Sequence, residues 1–355
     1  MRSRVMCALA VGTAVLAAAC GGGQAGPAAQ APTSGASAGF PVTVDDCGDK
    51  RVEFTASPQR IVTSNASALE MLFWLGAGDR VIGTGFPPGK GTLPGSFATA
   101  AEKVPVLSDS VIPKEKLLGS GAELYIDTFA SMNMGGGAVG PPTDQEFAAA
   151  NIKHLYLKST ACASEASGPL TDLSSVENDI KRLGTATGTS AKADELVKGM
   201  RSKVDKVRDA LSSVPENKQP SYFFFDFNAG TNQPIAACGK QVANAVITLA
   251  GARNVFADCD ADFKPVGWED VVARNPDWIQ LGIRDKGNPE ANKAAFAAAE
   301  KFLREFPATA GLEAVKRGRF LRVGSEQTTI PGVRNADTVV QIASTLHPDL
   351  VKADG

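Results

Sequence analysis

Short apolar runs alternate along the first third of the chain with segments whose apolar residues fall three or four apart. "FPVTVDDCGDKRVEF" holds two alternating runs around Asp46-Cys47-Gly48-Asp49 and predicts a β-hairpin. "QRIVTSN", "RVIGTG", "AELYIDT" and "IKHLYLK" read as short strands. A helix is expected from Ser67 to Leu75, closed by Gly76 and Gly78, and another over "TDQEFAAAN", capped by Thr143 or Asp144. Pro- and Gly-rich loops, "FPPGKGTLPG" and "MNMGGGAVGPP", follow two of the strands. Strand alternating with helix is the rhythm of a parallel-sheet α/β unit.

The pattern then changes. Ala193, Leu196, Val197, Met200, Val204, Val207 and Leu211 predict one long amphipathic helix over Ser190 to Val214, with Lys192, Glu195, Lys203 and Asp205 on its other face. After "PENKQP" the first rhythm restarts: "SYFFFDFN" as a buried strand, "KQVANAVITLAG" as a helix, and "VGWEDVVARNPDWIQLGI" as helix then strand. "NKAAFAAAEKFLREF", "RFLRVG" and "VRNADTVVQIASTL" complete it as helix, strand and helix. The expected architecture is α/β, two lobes with central sheets joined by a single long helix, and a cleft between them. Clefts of that kind favour small ligands.

The N-terminus has a different character. Arg2 and Arg4, a short apolar run and Leu16-Ala17-Ala18-Ala19-Cys20 have the layout of a secretory leader, too short to span a membrane comfortably. The segment before Cys20 resembles a bacterial lipobox, which implies a leader over 1–19, acylation of Cys20 and a lipid-anchored, extracytoplasmic protein. Ordinary secretion with a chance cysteine is the alternative. Gly21 to Gly39 is mostly Gly, Ala, Ser, Pro, Thr and Gln, so 20–39 is expected to be a lipidated flexible linker. Gly35-Ala36-Ser37-Ala38-Gly39 matches G-x-S-x-G, but no strand precedes it to form the required elbow. The lobes are then assigned to 40–168 and 216–355, with 169–215 as the connecting region that contains the long helix.

Charge narrows the partners. The chain has 36 Lys and Arg against 38 Asp and Glu; loss of Arg2 and Arg4 with the leader leaves 34 against 38. No basic patch points to nucleic acid. Cys47, Cys162, Cys238 and Cys259 remain once Cys7 is cleaved and Cys20 acylated, an even number suited to disulfides outside the cytoplasm. Of three possible pairings, Cys47–Cys162 with Cys238–Cys259 is favoured because it keeps each bridge within one predicted lobe.

"PQRIVTSNASALEMLFWLGAGDRVIGTG", "LAGARNVFAD", "VGWEDVVARNPDWIQLG", "PATAGLEAVKRGRFLRVG" and "IPGVRNADTVVQIASTLHP" occur in an order that resembles the substrate-binding proteins of bacterial ABC importers for ferric siderophores and cobalamin. The likeness covers nearly all of Phe40 to Leu350. It implies capture of a large solute between the lobes, with no intrinsic cofactor, and delivery to a membrane permease and its ATPase, by a protein expected to be monomeric. A ferric siderophore is the favoured ligand; cobalamin or another large cofactor-like molecule is the alternative. In such proteins one glutamate on each lobe docks on permease arginines. The resemblance gives those roles to Glu70, in "NASALEMLFWLG", and Glu269, in "VGWEDVV". The plainer reading is that both are solvated acids early in a helix, where the dipole favours them.

Enzyme and metal motifs are missing. His154 and His347 are the two histidines; neither sits beside a candidate nucleophile, and bare zinc or manganese would need a cluster of His and carboxylates. "GTGFPPGK" lacks the glycine spacing and following Ser/Thr of a phosphate loop. No direct metal ligand and no catalysis is expected. Loops after strands should line the cleft and supply Phe86, Lys90, Phe129, Met132, Met134, Phe227, Asn228, Arg284, Gln327 and Arg334. Aromatic and Met side chains suit the apolar rim of a chelate, and arginine suits carboxylate or hydroxamate oxygens. Arg334 and Arg284 rank first, since a charge in a cleft is harder to explain by packing.

Overall fold

The computed structural model describes residues 39–89, 92–128 and 142–352. The N-terminal lobe opens on an antiparallel hairpin, β1 (Val42–Asp45) and β2 (Arg51–Phe54), in the register Val44↔Val52. β3 (Ile61–Thr63), β4 (Val81–Thr84), β5 (Leu124–Asp127) and β6 (Lys153–Tyr156) form an all-parallel sheet in the order β4-β3-β5-β6. Helices α1 (Ala66–Trp74), α2 (Gly95–Ala101), α3 (Lys114–Leu118), α4 (Asp144–Ala149) and α5 (Lys158–Ala161) surround it. α4 starts at a complete capping box, with Thr143 and Glu146 each satisfying the other's backbone N–H.

Two helices then run back to back, α6 (Ser174–Thr187) and α7 (Ser190–Ala210). The sequence pattern predicts only the second. In α6, Val176, Ile180 and Leu183 have helical spacing, but the charged residues Glu177, Asp179 and Arg182 are buried among them and break the amphipathic pattern. α7 also stops four residues before Val214. Ser212 turns its hydroxyl onto the Asp209 carbonyl, and Pro215 disfavours helical backbone at Val214.

The second lobe contains β7 (Ser221–Asp226), β8 (Ile235–Ala237), α8 (Val242–Leu249), β9 (Arg253–Asn254), β10 (Phe263–Pro265), α9 (Trp268–Arg274) and β11 (Trp278–Gly282). It closes with α10 (Pro289–Glu305), α11 (Glu313–Lys316), β12 (Phe320–Leu321), α12 (Ser325–Thr329) and α13 (Asn335–Leu346). Its sheet is again parallel, in the order β12-β11-β7-β9, beside a small antiparallel β8–β10 pair. β7 is buried on both faces. Tyr222 and Phe224 join one core while Phe223 and Phe225 join another, as the two-residue period of a strand requires. Each such ring is worth about 1.5–3 kcal/mol of burial.

One apolar core runs from Leu69 and Ile126 in the first lobe, through Val176 and Val197 of the helix pair, to Tyr222, Val246 and Val339 in the second. α7 packs on α6 on one side and on α13 and α8 on the other. Arg182 adds a buried polar tie. Its guanidinium donates to the carbonyls of Asp45 and Tyr156 at 2.8 and 3.0 Å, and to the carboxylates of Asp179 and Asp46 at 2.7 and 3.2 Å. Asp179 in turn accepts from the backbone N–H groups of Lys158 and Ser159, both at 2.9 Å, and so fixes the start of α5. The disulfides join Cys47 to Cys162 and Cys238 to Cys259.

The helix pair approaches closely at Gly184, where an added Cβ would lie 2.5 Å from the Cβ of Ala193. At Gly199, on α7, an added Cβ meets nothing within 4 Å. Gly184→Val is therefore expected to lower unfolding stability by about 1–3 kcal/mol through overpacking. Gly199→Ala should raise it by roughly 0.5–1 kcal/mol through helix propensity. Equilibrium denaturation of the two variants checks both signs.

Candidate functional site

In each sheet the chain leaves neighbouring strands in opposite directions at one point. In the first lobe this lies between β3 and β5, and in the second between β7 and β11. Open parallel sheets bind ligands at such switch points, beyond the C-terminal ends of the strands. Both points open onto one cavity of about 600 Å³, lined by residues of both lobes. That is within the usual range for a small-molecule site.

Polar side chains stitch each switch point together. In the first lobe Asn65 caps α1 by accepting from Ser67 and Ala68, and its amide donates to the Thr128 hydroxyl at 2.8 Å. Ser64 and Thr128 hydroxyls meet at 3.0 Å. In the second lobe Asn228 accepts from the Arg284 N–H at 2.7 Å, tying the loop after β7 to the loop after β11. Asp226, at the end of β7, accepts from the Asn228 and Ala229 N–H groups. Asp285 accepts from Gly287 and from the Asn292 amide at 2.8 and 2.7 Å. Burial pushes the Asp226 carboxyl above its ordinary value, against the pull of those N–H donors and of Arg284. Burial does the same to Glu326.

The lobes also touch across the cavity. Arg334, just before α13, holds the Glu70 carboxylate of α1 at 2.6 Å, and the other Glu70 oxygen accepts from the Trp74 indole at 3.0 Å. The Ser67 hydroxyl donates to the Pro331 carbonyl at 2.8 Å.

Four of the residues expected in the cleft line the cavity: Phe86, Arg284, Gln327 and Arg334. Phe86 sits at a φ of 33°, unusual for a bulky side chain. Phe227 does not line it. It continues the alternation of Phe223 and Phe225 and packs against Phe225 and Phe302. Lys90, Phe129, Met132 and Met134 lie outside the described residues, as does Cys20. Glu70 differs from the free carboxylate expected for docking. Its side chain is 14% exposed, faces the cavity and has both oxygens engaged, because α1 turns this face toward Arg334. Glu269 is exposed at the start of α9, its carboxylate curled over the Cα of Gly267, where an added Cβ would collide with it at 2.1 Å.

The sequence reading missed the cavity's carboxylates Asp226, Asp285 and Glu326, together with Trp74 and Asn65. A usable signal existed for Asp226, since a carboxylate directly after the buried run "SYFFF" marks the C-terminal end of a strand. Neither histidine lines the cavity. His154 stacks on Tyr125 and packs against Phe147 and edge-on to Tyr156, with its ring nitrogen 3.5 Å from Asp127, and His347 bonds the Gly251 carbonyl. Among the described residues, the one grouping of metal-type donors is Cys47, Cys162 and Glu165, and its two sulfurs form a disulfide.

The family model described as periplasmic binding protein matches residues 141–326. The chain belongs to that family. Among relatives of this periplasmic binding protein is an uncharacterized ABC transporter substrate-binding lipoprotein of Bacillus subtilis (strain 168), 25% identical over 88% of each chain. A cobalamin-binding protein of Halobacterium salinarum is 22% identical over 90% of this chain and 78% of its own. Among solved structures, an ABC-type Fe3+-hydroxamate transport system protein of Saccharomonospora viridis superposes with a TM-score of 0.68 at 22% identity. It covers 87% of this chain and 99% of that one. Among the described residues no helix is long and apolar enough to cross a membrane.

A carboxyl whose folded-state pKa is raised favours the folded protein most when protonated, below its unfolded value, and loses that advantage as pH rises through the folded value. Ionising Asp226 and Glu326 therefore costs the fold stability as pH rises. Asp226→Asn with Glu326→Gln is expected to raise the thermal midpoint at pH 7. The gain should shrink toward pH 4, a trend that melting curves across this range check.

Proposed function

We propose that this protein is the extracytoplasmic substrate-binding component of an ABC importer, capturing a ferric siderophore between its lobes and handing it to a permease coupled to an ATPase. The observation that carries the reading is the cavity shared by two sheet switch points, in a chain of the periplasmic binding protein family. Its volume suits a single metal chelate, and a fold neighbour is named for Fe3+-hydroxamate transport. The cobalamin-binding relative supports the second reading, a corrinoid ligand. In both readings the protein binds and releases without catalysing a reaction, and the metal arrives with the ligand.

Acylation at Cys20 would tether the folded part through the 20–39 linker, and the Bacillus subtilis relative is named as a lipoprotein. Docking is assigned to Glu269 on the second lobe, where the carboxylate is exposed. On the first lobe the same role for Glu70 requires its release from Arg334. Charge pairing of this kind sets orientation and encounter rate.

Trp74 lines the cavity, so the tryptophan fluorescence, to which Trp268 and Trp278 also contribute, responds to occupancy. Titration with ferric hydroxamates, ferric catecholates, ferric citrate, haem and cobalamin should give saturable quenching by one iron chelate and none by its iron-free form. Saturation by cobalamin alone would establish the second reading instead. With the bound chelate in a reconstituted importer, Glu269→Ala should lose most of the stimulated ATP hydrolysis while keeping its affinity for the chelate. Full stimulation by this variant would remove Glu269 from docking.

A further inference from the structure

We propose that the cleft selects uncharged or cationic chelates and rejects anionic ones, its second-lobe half accepting a positively charged or N–H-bearing arm of the ligand. This rests on the reading of the cavity as the ligand site and adds the charge class of the occupant.

Among the described residues, the cavity lining carries six carboxylates, Glu70, Asp109, Asp226, Asp262, Asp285 and Glu326, against four cations. Three of those cations are held in ion pairs. Arg334 meets Glu70 at 2.6 Å, Lys240 meets Asp260 at 2.9 Å and Arg322 meets Glu300 at 2.7 Å. The fourth, Arg284, lies in the field of both Asp226 and Glu326. An anionic chelate entering this cavity must break one of these pairs or lie beside carboxylates. Lying beside Asp226 and Glu326, or taking Arg334 from Glu70, whose side chain is 14% exposed, leaves a desolvated charge without compensation.

The second-lobe wall is the natural seat for the opposite charge. Asp226 ends β7, Asp285 lies in the loop after β11, and Glu326 sits in the first turn of α12 beside them, accepting from the Asp285 N–H. Each of these carboxylates takes N–H donors from the protein, so the array is aimed at donors already. Burial raises the cost of holding Asp226 and Glu326 ionised, and a cationic group in the cavity recovers that cost.

The test holds ligand shape nearly fixed and varies charge. Tryptophan quenching is titrated with a ferric linear trihydroxamate bearing a free terminal amine, then with its N-acetyl and N-succinyl forms. Aquocobalamin, cyanocobalamin and a cobalamin monocarboxylate form a parallel series. In whichever series binds, the anionic member should bind at least about tenfold more weakly than the cationic one, a difference of about 1.4 kcal/mol. Asp226→Asn with Glu326→Gln should narrow that ratio several-fold, with the circular dichroism of the fold retained. Equal affinities across a series, or tightest binding by its anionic member, overturn the charge inference and leave the cleft as a chelate site. Binding confined to ferric citrate or a ferric tricatecholate does the same. No binding by any of these ligands overturns both the charge inference and the functional reading beneath it.

Discussion

Where the lobes stand relative to each other depends on the contact between α6 and α7. The two helices meet at Gly184 because that residue has no side chain to keep Ala193 away. α6 packs against the hairpin of the first lobe, and α7 packs against α8 and α13 of the second, so both lobes inherit their placement from this seam. The apolar core passes through it without interruption. Interiors packed in this way transmit strain and deform little. The cavity stands between lobes already in contact, and the proposed binding mode needs no further approach of one to the other. Arg182 extends the same constraint by joining β1, β6 and α6, while Asp179 fixes the start of α5 at the cavity wall.

Against this fixed frame the chemistry of the cleft is set by loops. Both sheets put their crossover loops at the cavity, and short polar side chains, Asn65 and Thr128 on one side and Asn228 on the other, hold those loops in register. The Glu70–Arg334 pair lies across the cavity between residues 264 positions apart. It joins the ligand space to the carboxylate that the family resemblance assigns to docking. A ligand group that competes for either partner changes the availability of the other.

The repeating α/β rhythm was legible because strands buried on both faces, such as "SYFFFDFN", leave continuous apolar runs, and because caps such as Thr143 mark helix starts. α6 was not legible, since its buried Asp179 and Arg182 look like surface charges until their partners are known. The cleft was half legible. Arg284 and Arg334 stand out as charges in loops after strands, whereas the position of Phe227 depends on the face that β7 turns to α10. The carboxylates escaped notice for a related reason. An acid at a strand end reads as a solvated loop residue, and only the three-dimensional meeting of Asp226, Asp285 and Glu326 gives it a role. Glu70 shows the opposite case, a residue that stands out in an apolar stretch, whose ion pair with Arg334 no local pattern announces.

The central claim is that one ligand is held by both lobes at once on a spine that stays locked. Amide hydrogen exchange, with and without the chelate that saturates tryptophan quenching, tests it most directly. The account predicts slower exchange on binding in two separate segments, 65–71 of the first lobe and 283–285 with 324–335 of the second, and unchanged exchange in α6 and α7. Protection confined to one lobe, or faster exchange in the helix pair, would contradict it.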